Sequence, residues 1–242
     1  ALTVDTVLED GGHYYLIEDL NRQIKVPENA TIYLCLNGHA LTSGGRLFDT
    51  ISAGKTLNVY DCGLSGTAHS RNDNNAPVAL VNGGTLNIYG GSYSANAITA
   101  ENKNGGVLMA MNDGVINFYN GTITGGNATG MGGCVYITND AQFNMYGGSV
   151  TNGISAKDGG TIAIAGNAKF TMLGGCVTGG TASGKGNCVF SGSTASVVLG
   201  GSVVIEDMYL DTVGITLSDT VALDTAEGTK ASVGITKTSA GE

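Results

Sequence analysis

Residues 132–153 read GGCVYITNDAQFNMYGGSVTNG, and residues 159–180 repeat the pattern as GGTIAIAGNAKFTMLGGCVTGG. An earlier stretch, residues 105–126, reads GGVLMAMNDGVINFYNGTITGG. The apolar residue after each Asn turn recurs at intervals of 27 residues, at Ile116, Phe143 and Phe170. A fixed period of this length is typical of a solenoid, in which every repeat forms one coil stacked on the next.

Each repeat contains three short runs in which apolar residues alternate with polar ones, such as 135–137, 143–145 and 149–151. Asn-Asp and Gly-Gly pairs, which tolerate positive φ, separate the runs and predict tight turns. Alternation points every second side chain to the interior. In one repeat the predicted inward residues are Val135, Ile137, Phe143, Met145 and Val150. In the next they are Ile162, Ile164, Phe170, Met172 and Val177.

Like residues therefore lie above one another, with parallel strands about 4.8 Å apart. The fold predicted is all-β, a right-handed parallel β-helix with three short strands per coil of about 27 residues. We expect one elongated domain over residues 1–242, with an N-terminal cap and first coil over 1–31 and regular coils over 32–204. Residues 205–242 are less regular and carry VGIT twice, which indicates closing coils or the start of a next module.

Composition excludes several classes of protein. The 40 glycines have no G-X-Y period, so the chain is not collagen. A net charge of −9 disfavours nucleic acid and anionic membranes as partners. No apolar run reaches the roughly 18 residues of a membrane span. No signal peptide is visible, so we expect the chain to begin at a processed or artificially chosen end.

Five cysteines have different predicted surroundings. Cys134 and Cys188 occupy the same coil position two coils apart, which is beyond disulfide reach. Cys35 and Cys62 could lie on adjacent coils, and Cys176 has no evident partner. We favour small buried or half-buried thiols for most of them, and the disulfide state of Cys35, Cys62 and Cys176 stays open.

The runs YLCLNGHAL and GKTLNVYDCG, with the later repeats of GG-x-V-Y-I and F-N-M-Y-G-G-S-V-T, carry a family resemblance. Over roughly residues 14–204 the chain resembles the β-helical repeat modules of large secreted and surface-anchored proteins of gut Firmicutes, which are adhesin-like or pectate-lyase-like. The resemblance implies a module of a longer cell-surface protein. It implies no catalytic residue, because this repeat pattern has no active-site motif to match.

In a β-helix one coil position becomes a row along the axis. Asn58, Asn87, Asn117 and Asn144 form one outward row, which we interpret as a stabilising amide ladder in preference to a sugar-binding strip. The next row holds Tyr60, Tyr89, Tyr119 and Tyr146, and favours a half-buried packing stack. Asp113 and Asp140 stand at matching turn positions; a bridging Ca²⁺ is the alternative to two solvated carboxylates, and otherwise no cofactor is expected.

Charged residues are confined to the predicted loop edge. His69, Arg71, Asp73, Glu101, Lys103, Lys157 and Lys185 are the mixed-charge candidates there. A lyase or glycosidase needs carboxylates, often with a basic residue, that converge on one groove. Arg71, Asp73, Glu101 and Lys103 are the weak catalytic candidates, although a solvated loop edge is the interpretation we favour. His69, Arg71, Lys157 and Lys185 are candidates for ligand binding instead.

The first strand of each coil is predicted to be apolar on both faces. Its inward row is predicted as Val78, Leu108, Val135, Ile162 and Val189, and its outward row as Ala79, Met109, Tyr136, Ala163 and Phe190. A second outward row is predicted as Pro77, Val107, Cys134, Thr161 and Cys188. Such a strip predicts a contact surface, with Met109, Tyr136 and Phe190 binding a ligand or a second copy unless a loop of the chain covers them.

The function we expect is that of a non-catalytic β-helical adhesin or stalk module, secreted or on a bacterial cell surface, that binds a glycan or a protein. A carbohydrate-active enzyme of the lyase or hydrolase type, using the loop edge, is the alternative. A spacer without a ligand of its own is the third interpretation, because fold does not decide function.

Overall fold

The computed structural model describes residues 1–71, 75–212, 214–218, 220, 222–223 and 231–237. The chain winds into an all-β solenoid of about seven coils with about 27 residues per coil, as the sequence predicts. The strands are β1 (His13–Tyr15), β2 (Leu20–Asn21), β3 (Thr31–Cys35), β4 (Ala40–Ser43), β5 (Phe48–Ser52), β6 (Thr56–Tyr60), β7 (Thr67–Ser70), β8 (Ala79–Asn82), β9 (Thr85–Ile88), β10 (Ser92–Ala95), β11 (Leu108–Met111), β12 (Val115–Phe118), β13 (Thr122–Thr124), β14 (Asn127–Ala128), β15 (Val135–Ile137), β16 (Gln142–Met145), β17 (Ser149–Thr151), β18 (Ile154–Ser155), β19 (Ile162–Ile164), β20 (Lys169–Thr178), β21 (Thr181–Ala182), β22 (Val189–Ser191), β23 (Ser196–Leu210), β24 (Ile215–Leu217) and β25 (Ser232–Lys237).

Three parallel faces run along the axis. Face A stacks β1, β3, β6, β9, β12 and β16, followed by the first part of β20. Face B stacks β2, β4, β7, β10, β13 and β17, followed by the last part of β20. Face C stacks β5, β8, β11, β15, β19 and β22. We number the coils from β1, so that β3 to β5 form the second coil and β6 to β8 the third.

The predicted register of the central coils is confirmed. Phe143 pairs with Phe170 and Met145 with Met172 on face A, while Val150 pairs with Val177 on face B. All of the predicted inward residues from Val135 to Val177 are fully buried. Each coil therefore contributes a layer to one continuous apolar core, which a single coil could not bury by itself.

Tight turns follow the predicted chemistry. Asn112 and Asp113 both have positive φ, at 51° and 61°, and Asn139 and Asp140 repeat the pair at 51° and 62°. Asn and Asp tolerate this left-handed region better than other side chains, so each pair turns the chain from face C into face A.

The loops between faces B and C are more ordered than the sequence suggests. Strands β14, β18 and β21 lie within them and form a separate three-stranded parallel sheet. His69, which we predict to lie in a loop, lies instead on β7, paired with Thr42 and Ser94. The repeating loops therefore stack coil on coil, as the core strands do.

The stacking is less regular after β22. Both VGIT segments contribute strands, but Ile215 pairs with Val197 whereas Ile235 pairs with Met208. The two segments thus occupy different positions in the coil and are not a structural repeat. The part of the chain that the structure describes contains no helix with the length and hydropathy needed to cross a membrane.

Candidate functional site

The predicted outward row on face C needs correction at one coil. Ala79 pairs with Leu108 and is fully buried, so the outward residue opposite Met109 is Leu80. The cause is the turn that follows β8, which holds two residues (83–84) where the turn after β11 holds three (112–114), so β8 lies one residue away from the position that a constant spacing predicts. Since the side-chain period of a strand is two, that single residue exchanges the inner and outer positions.

The second predicted outward row on face C is wrong. Val107, Cys134, Thr161 and Cys188 are almost completely buried, and Pro77 is buried as well. The turn that follows face B packs against them: a Cβ atom on Gly153 would contact both the Cα atom of Thr161 and the amide of Cys134. These residues are part of the packing between the core and the loops.

The outward row itself is covered by the returning loop. Each loop ends in a glycine with φ near 67°, at Gly105, Gly132, Gly159 and Gly186. A Cβ atom on Gly132 would lie 3.1 Å from the Cβ atom of Tyr136. Tyr136 and Phe190 are only 9% and 8% exposed, and Met109 is half-buried. The strip is therefore not the exposed apolar surface on which we based ligand binding and self-association.

The loop-edge residues belong to successive coils. His69 is half-buried, with its Nδ1 atom 2.9 Å from the Ser94 hydroxyl. Arg71 lies at the start of its loop, and Glu101 is exposed within the loop of the next coil. Asp73 lies outside the described residues.

The three lysines also have separate surroundings. Lys103 lines a cavity of about 230 Å³ beside Arg46 and Met109, and Lys157 is exposed. Lys185 makes two contacts with other residues of the chain. Its Nζ atom lies 4.7 Å from the ring centroid of Tyr209 and 3.9 Å from a carboxylate oxygen of Asp211. This cation–π contact covers the outer edge of face C.

Asp113 and Asp140 are both exposed turn residues. Within the described residues no group of three or more His, Cys, Asp or Glu side chains could hold a metal ion. Two carboxylates in water-facing turns supply few of the six to eight oxygen ligands that Ca²⁺ takes.

The asparagine row on face A forms the predicted ladder. Asn87 donates to Asn58 at 2.8 Å, Asn117 to Asn87 at 2.8 Å, and Asn144 to Asn117 at 2.9 Å. Asn58 continues the chain of donors to the backbone oxygen of Ile32 at 3.3 Å. The amide groups satisfy one another along the axis, which is how a parallel stack of identical polar residues is stabilised.

Beside the ladder runs a stack of tyrosines. We define the tyrosine row as Tyr60, Tyr89, Tyr119 and Tyr146. Successive ring centroids are 4.5, 4.6 and 4.8 Å apart and the rings are nearly parallel. Their outer edges reach solvent, with Tyr146 42% exposed. Loss of water between the rings raises the pKa of Tyr89, Tyr119 and Tyr146, so these hydroxyls stay protonated at neutral pH.

The tyrosine row leads into a groove on the first three coils. We define the aromatic groove by its lining residues, which are His13, Tyr14, Tyr15, Tyr33, Cys35, Tyr60 and Cys62. Its volume is about 470 Å³ and its wall is mostly apolar. On one side the rings of His13 and Tyr33 stack at 4.3 Å. Aromatic walls with a few polar atoms are the usual lining of a small-molecule site.

One position in the groove interrupts the aromatic row. Tyr15 pairs with Cys35, and Cys35 pairs with Tyr60, so a small side chain stands between two tyrosines. Tyr15 and Tyr60 are therefore two strand spacings apart, or about 9.6 Å. One flat ring can enter that interval at the same spacing that separates the rings of the tyrosine row.

Sequence reasoning did not find the groove because it treated residues 1–31 as an atypical cap and first coil and aligned none of them with the later rows. The regular stack in fact begins at β1, which pairs with β3. The sequence pattern that could have predicted the groove is the row of residues at one coil position. Tyr15, Cys35 and Tyr60 occupy equivalent positions when residues 1–31 are aligned with the later coils.

The nearest turn is held by Asp61. Its carboxylate accepts backbone hydrogen bonds from Gly38 at 2.8 Å, from Gly66 at 2.7 Å and from Gly63 at 3.3 Å. This acceptor role accounts for the residue structurally, since it satisfies three backbone N–H groups around the turn.

Comparison with known proteins identifies no family model, curated protein or solved structure that matches this chain.

Proposed function

We propose that the chain is a non-catalytic β-helical binding module, of the adhesin or stalk type, that is displayed on a bacterial surface or secreted and binds a glycan in the aromatic groove. The observation that carries the proposal is the interval at Cys35 between Tyr15 and Tyr60. A pyranose ring has an apolar face that packs on tyrosine and hydroxyls that suit the polar edges of His13 and Tyr33.

Charge favours a neutral sugar over an acidic one. The chain carries a net charge of −9, and the groove residues include no lysine or arginine. A uronic acid or a sulfated sugar would meet a repulsive field without a cation to pair with it. The proposed ligand is therefore a neutral glycan, with one ring placed between the two tyrosines.

The rigidity of the wall supports binding. The ring of Tyr60 is already stacked on Tyr89 at 4.5 Å, and Tyr33 is already stacked on His13. Side chains that are fixed before binding lose little conformational entropy when a ligand arrives. A glycan that enters the groove extends the existing stack by one ring.

The test is a glycan array of neutral and acidic oligosaccharides, run beside a polysaccharide-degradation screen, followed by titration of the glycans that bind. We expect Tyr60→Ala to weaken binding of a neutral glycan about tenfold, because one stacking face is lost. Tyr146→Ala is the matched control: the same residue type in the same row, at the far end from the groove. It should leave affinity unchanged.

Three results would contradict the proposal. Turnover of the bound glycan would establish an enzyme of the lyase or hydrolase type. Equal loss of affinity in the Tyr60 and Tyr146 variants would place binding outside the groove. Binding of a protein but of no glycan would show that the ligand class is wrong.

A further inference from the structure

Cys35 and Cys62 bring two thiols together at the base of the aromatic groove. Cys35 is the last residue of β3, and it pairs with Tyr60 at the end of β6. The chain then bends at Asp61, which places the Sγ atom of Cys62 only 2.8 Å from that of Cys35. This separation is well inside ordinary van der Waals contact for two sulfur atoms, although the thiols are unbonded here.

The contact between the Cys35 and Cys62 sulfur atoms is fixed by backbone interactions. The backbone amide of Cys62 also lies 3.4 Å from the sulfur of Cys35. Asp61 fixes the turn between them by accepting hydrogen bonds from Gly38 and Gly66. Both thiols are thus held in place by backbone contacts that join the second and third coils.

The other cysteines have no such neighbour. Cys134 and Cys188 are buried, and the coil that carries Thr161 lies between them. The backbone N–H of Cys134 donates to the backbone oxygen of Thr161, and the N–H of Thr161 donates to the backbone oxygen of Cys188. Cys176 pairs with Ser149 on one side and Val204 on the other. No metal cluster that could use Cys35 and Cys62 as ligands is found among the described residues.

We propose that Cys35 and Cys62 form a disulfide that joins the second and third coils beneath the aromatic groove. The oxidant is a small disulfide such as oxidised glutathione. The thiolate of Cys62, which is exposed, attacks one glutathione sulfur and releases one glutathione. The thiolate of Cys35 then displaces the second glutathione. Two protein thiols are oxidised to one disulfide, and one glutathione disulfide is reduced to two thiols.

The bond adds a constraint near one end of the stack. It closes the segment 35–62, so it removes conformations from the unfolded chain more than it changes the folded one. It also fixes the base of the groove, since both sulfur atoms belong to its lining. The inference does not depend on the proposed glycan, and its test uses no glycan.

The test uses the whole chain after equilibration with oxidised glutathione or with a reducing agent. Free thiols are alkylated under denaturing conditions, and the protein is digested with trypsin without reduction. We expect the oxidised sample to contain peptide 26–46 joined to peptide 56–71, which carry Cys35 and Cys62. We expect Cys134, Cys176 and Cys188 to be alkylated in both samples.

Thermal unfolding gives a second measurement. The oxidised protein should have a Tm about 5–10 °C above that of the reduced protein. Cys62→Ser should abolish this difference, and Cys176→Ser, a half-buried thiol in another coil, should retain it. Five alkylated thiols after oxidation, or separate glutathione adducts on Cys35 and Cys62, would overturn the proposal. So would a disulfide that involves any other cysteine.

Discussion

Phe143 packs in the middle of the core between two other phenylalanines. Its ring centroid lies 6.4 Å from that of Phe118 and 5.6 Å from that of Phe170. The side chain is fully buried. Replacement by alanine would leave a cavity between two coils whose backbones are tied by parallel hydrogen bonds and cannot close over it.

We expect Phe143→Ala to lower the free energy of unfolding by about 3–5 kcal/mol. Tyr146→Ala is the control three residues away, on the exposed edge of the same face, and it should cost about 1 kcal/mol, because only stacking is lost. Urea denaturation followed by circular dichroism measures both. A loss below about 1 kcal/mol for Phe143→Ala would contradict its place in the core.

At the level of the element, the loops cross the core strands along a column of glycines. A Cβ atom on Gly133 would collide with the backbone oxygen of Gly160, and one on Gly106 would collide with that of Gly133. The column recurs every 27 residues because the returning loop passes each coil at the same place. Small residues here are a requirement of close backbone approach and not of turn geometry.

Gly133→Ala should therefore destabilise the protein by about 1–3 kcal/mol through overpacking against backbone atoms. Gly90→Ala is the matched control, because a Cβ atom there would lie 3.5 Å from its nearest neighbour, at ordinary contact distance. Thermal unfolding of the two variants measures the difference. Equal Tm values would contradict the close crossing of loop and strand at Gly133.

For the whole molecule, a stack of coils is stabilised mainly by contacts between neighbours. Strand β16 pairs with β12 on one side and β20 on the other. Strand β24 pairs with β23, and its residues are mostly exposed. Opening at the last coil breaks fewer contacts than opening in the middle.

Hydrogen exchange followed by mass spectrometry should find amides of β16 at least about a hundredfold slower than those of β24. Strand β6, at the aromatic groove, should exchange more slowly once Cys35 and Cys62 are oxidised. Uniform exchange along the chain would contradict stepwise stability and indicate one cooperative unit.

The repeat period, the three-strand coil and the identity of most core residues follow from the sequence pattern. Ile162, Phe170 and Val177 follow their counterparts by 27 residues, so alternation within a strand and identity between coils point to the same inward set. The asparagine ladder was predictable for the same reason, since equal side chains at one coil position are brought within hydrogen-bond distance.

Which surfaces are open depends on the tertiary structure. Tyr136 and Phe190 are buried because loops return over face C. The exchange of Ala79 for Leu80 follows from the turn after β8, which is one residue shorter than the turn after β11. The path of the returning loops is set by contacts between residues of successive coils, which alternation within one strand does not predict. The groove between Tyr15 and Tyr60 and the contact of Cys35 with Cys62 arise likewise, because stacking places residues from successive coils side by side.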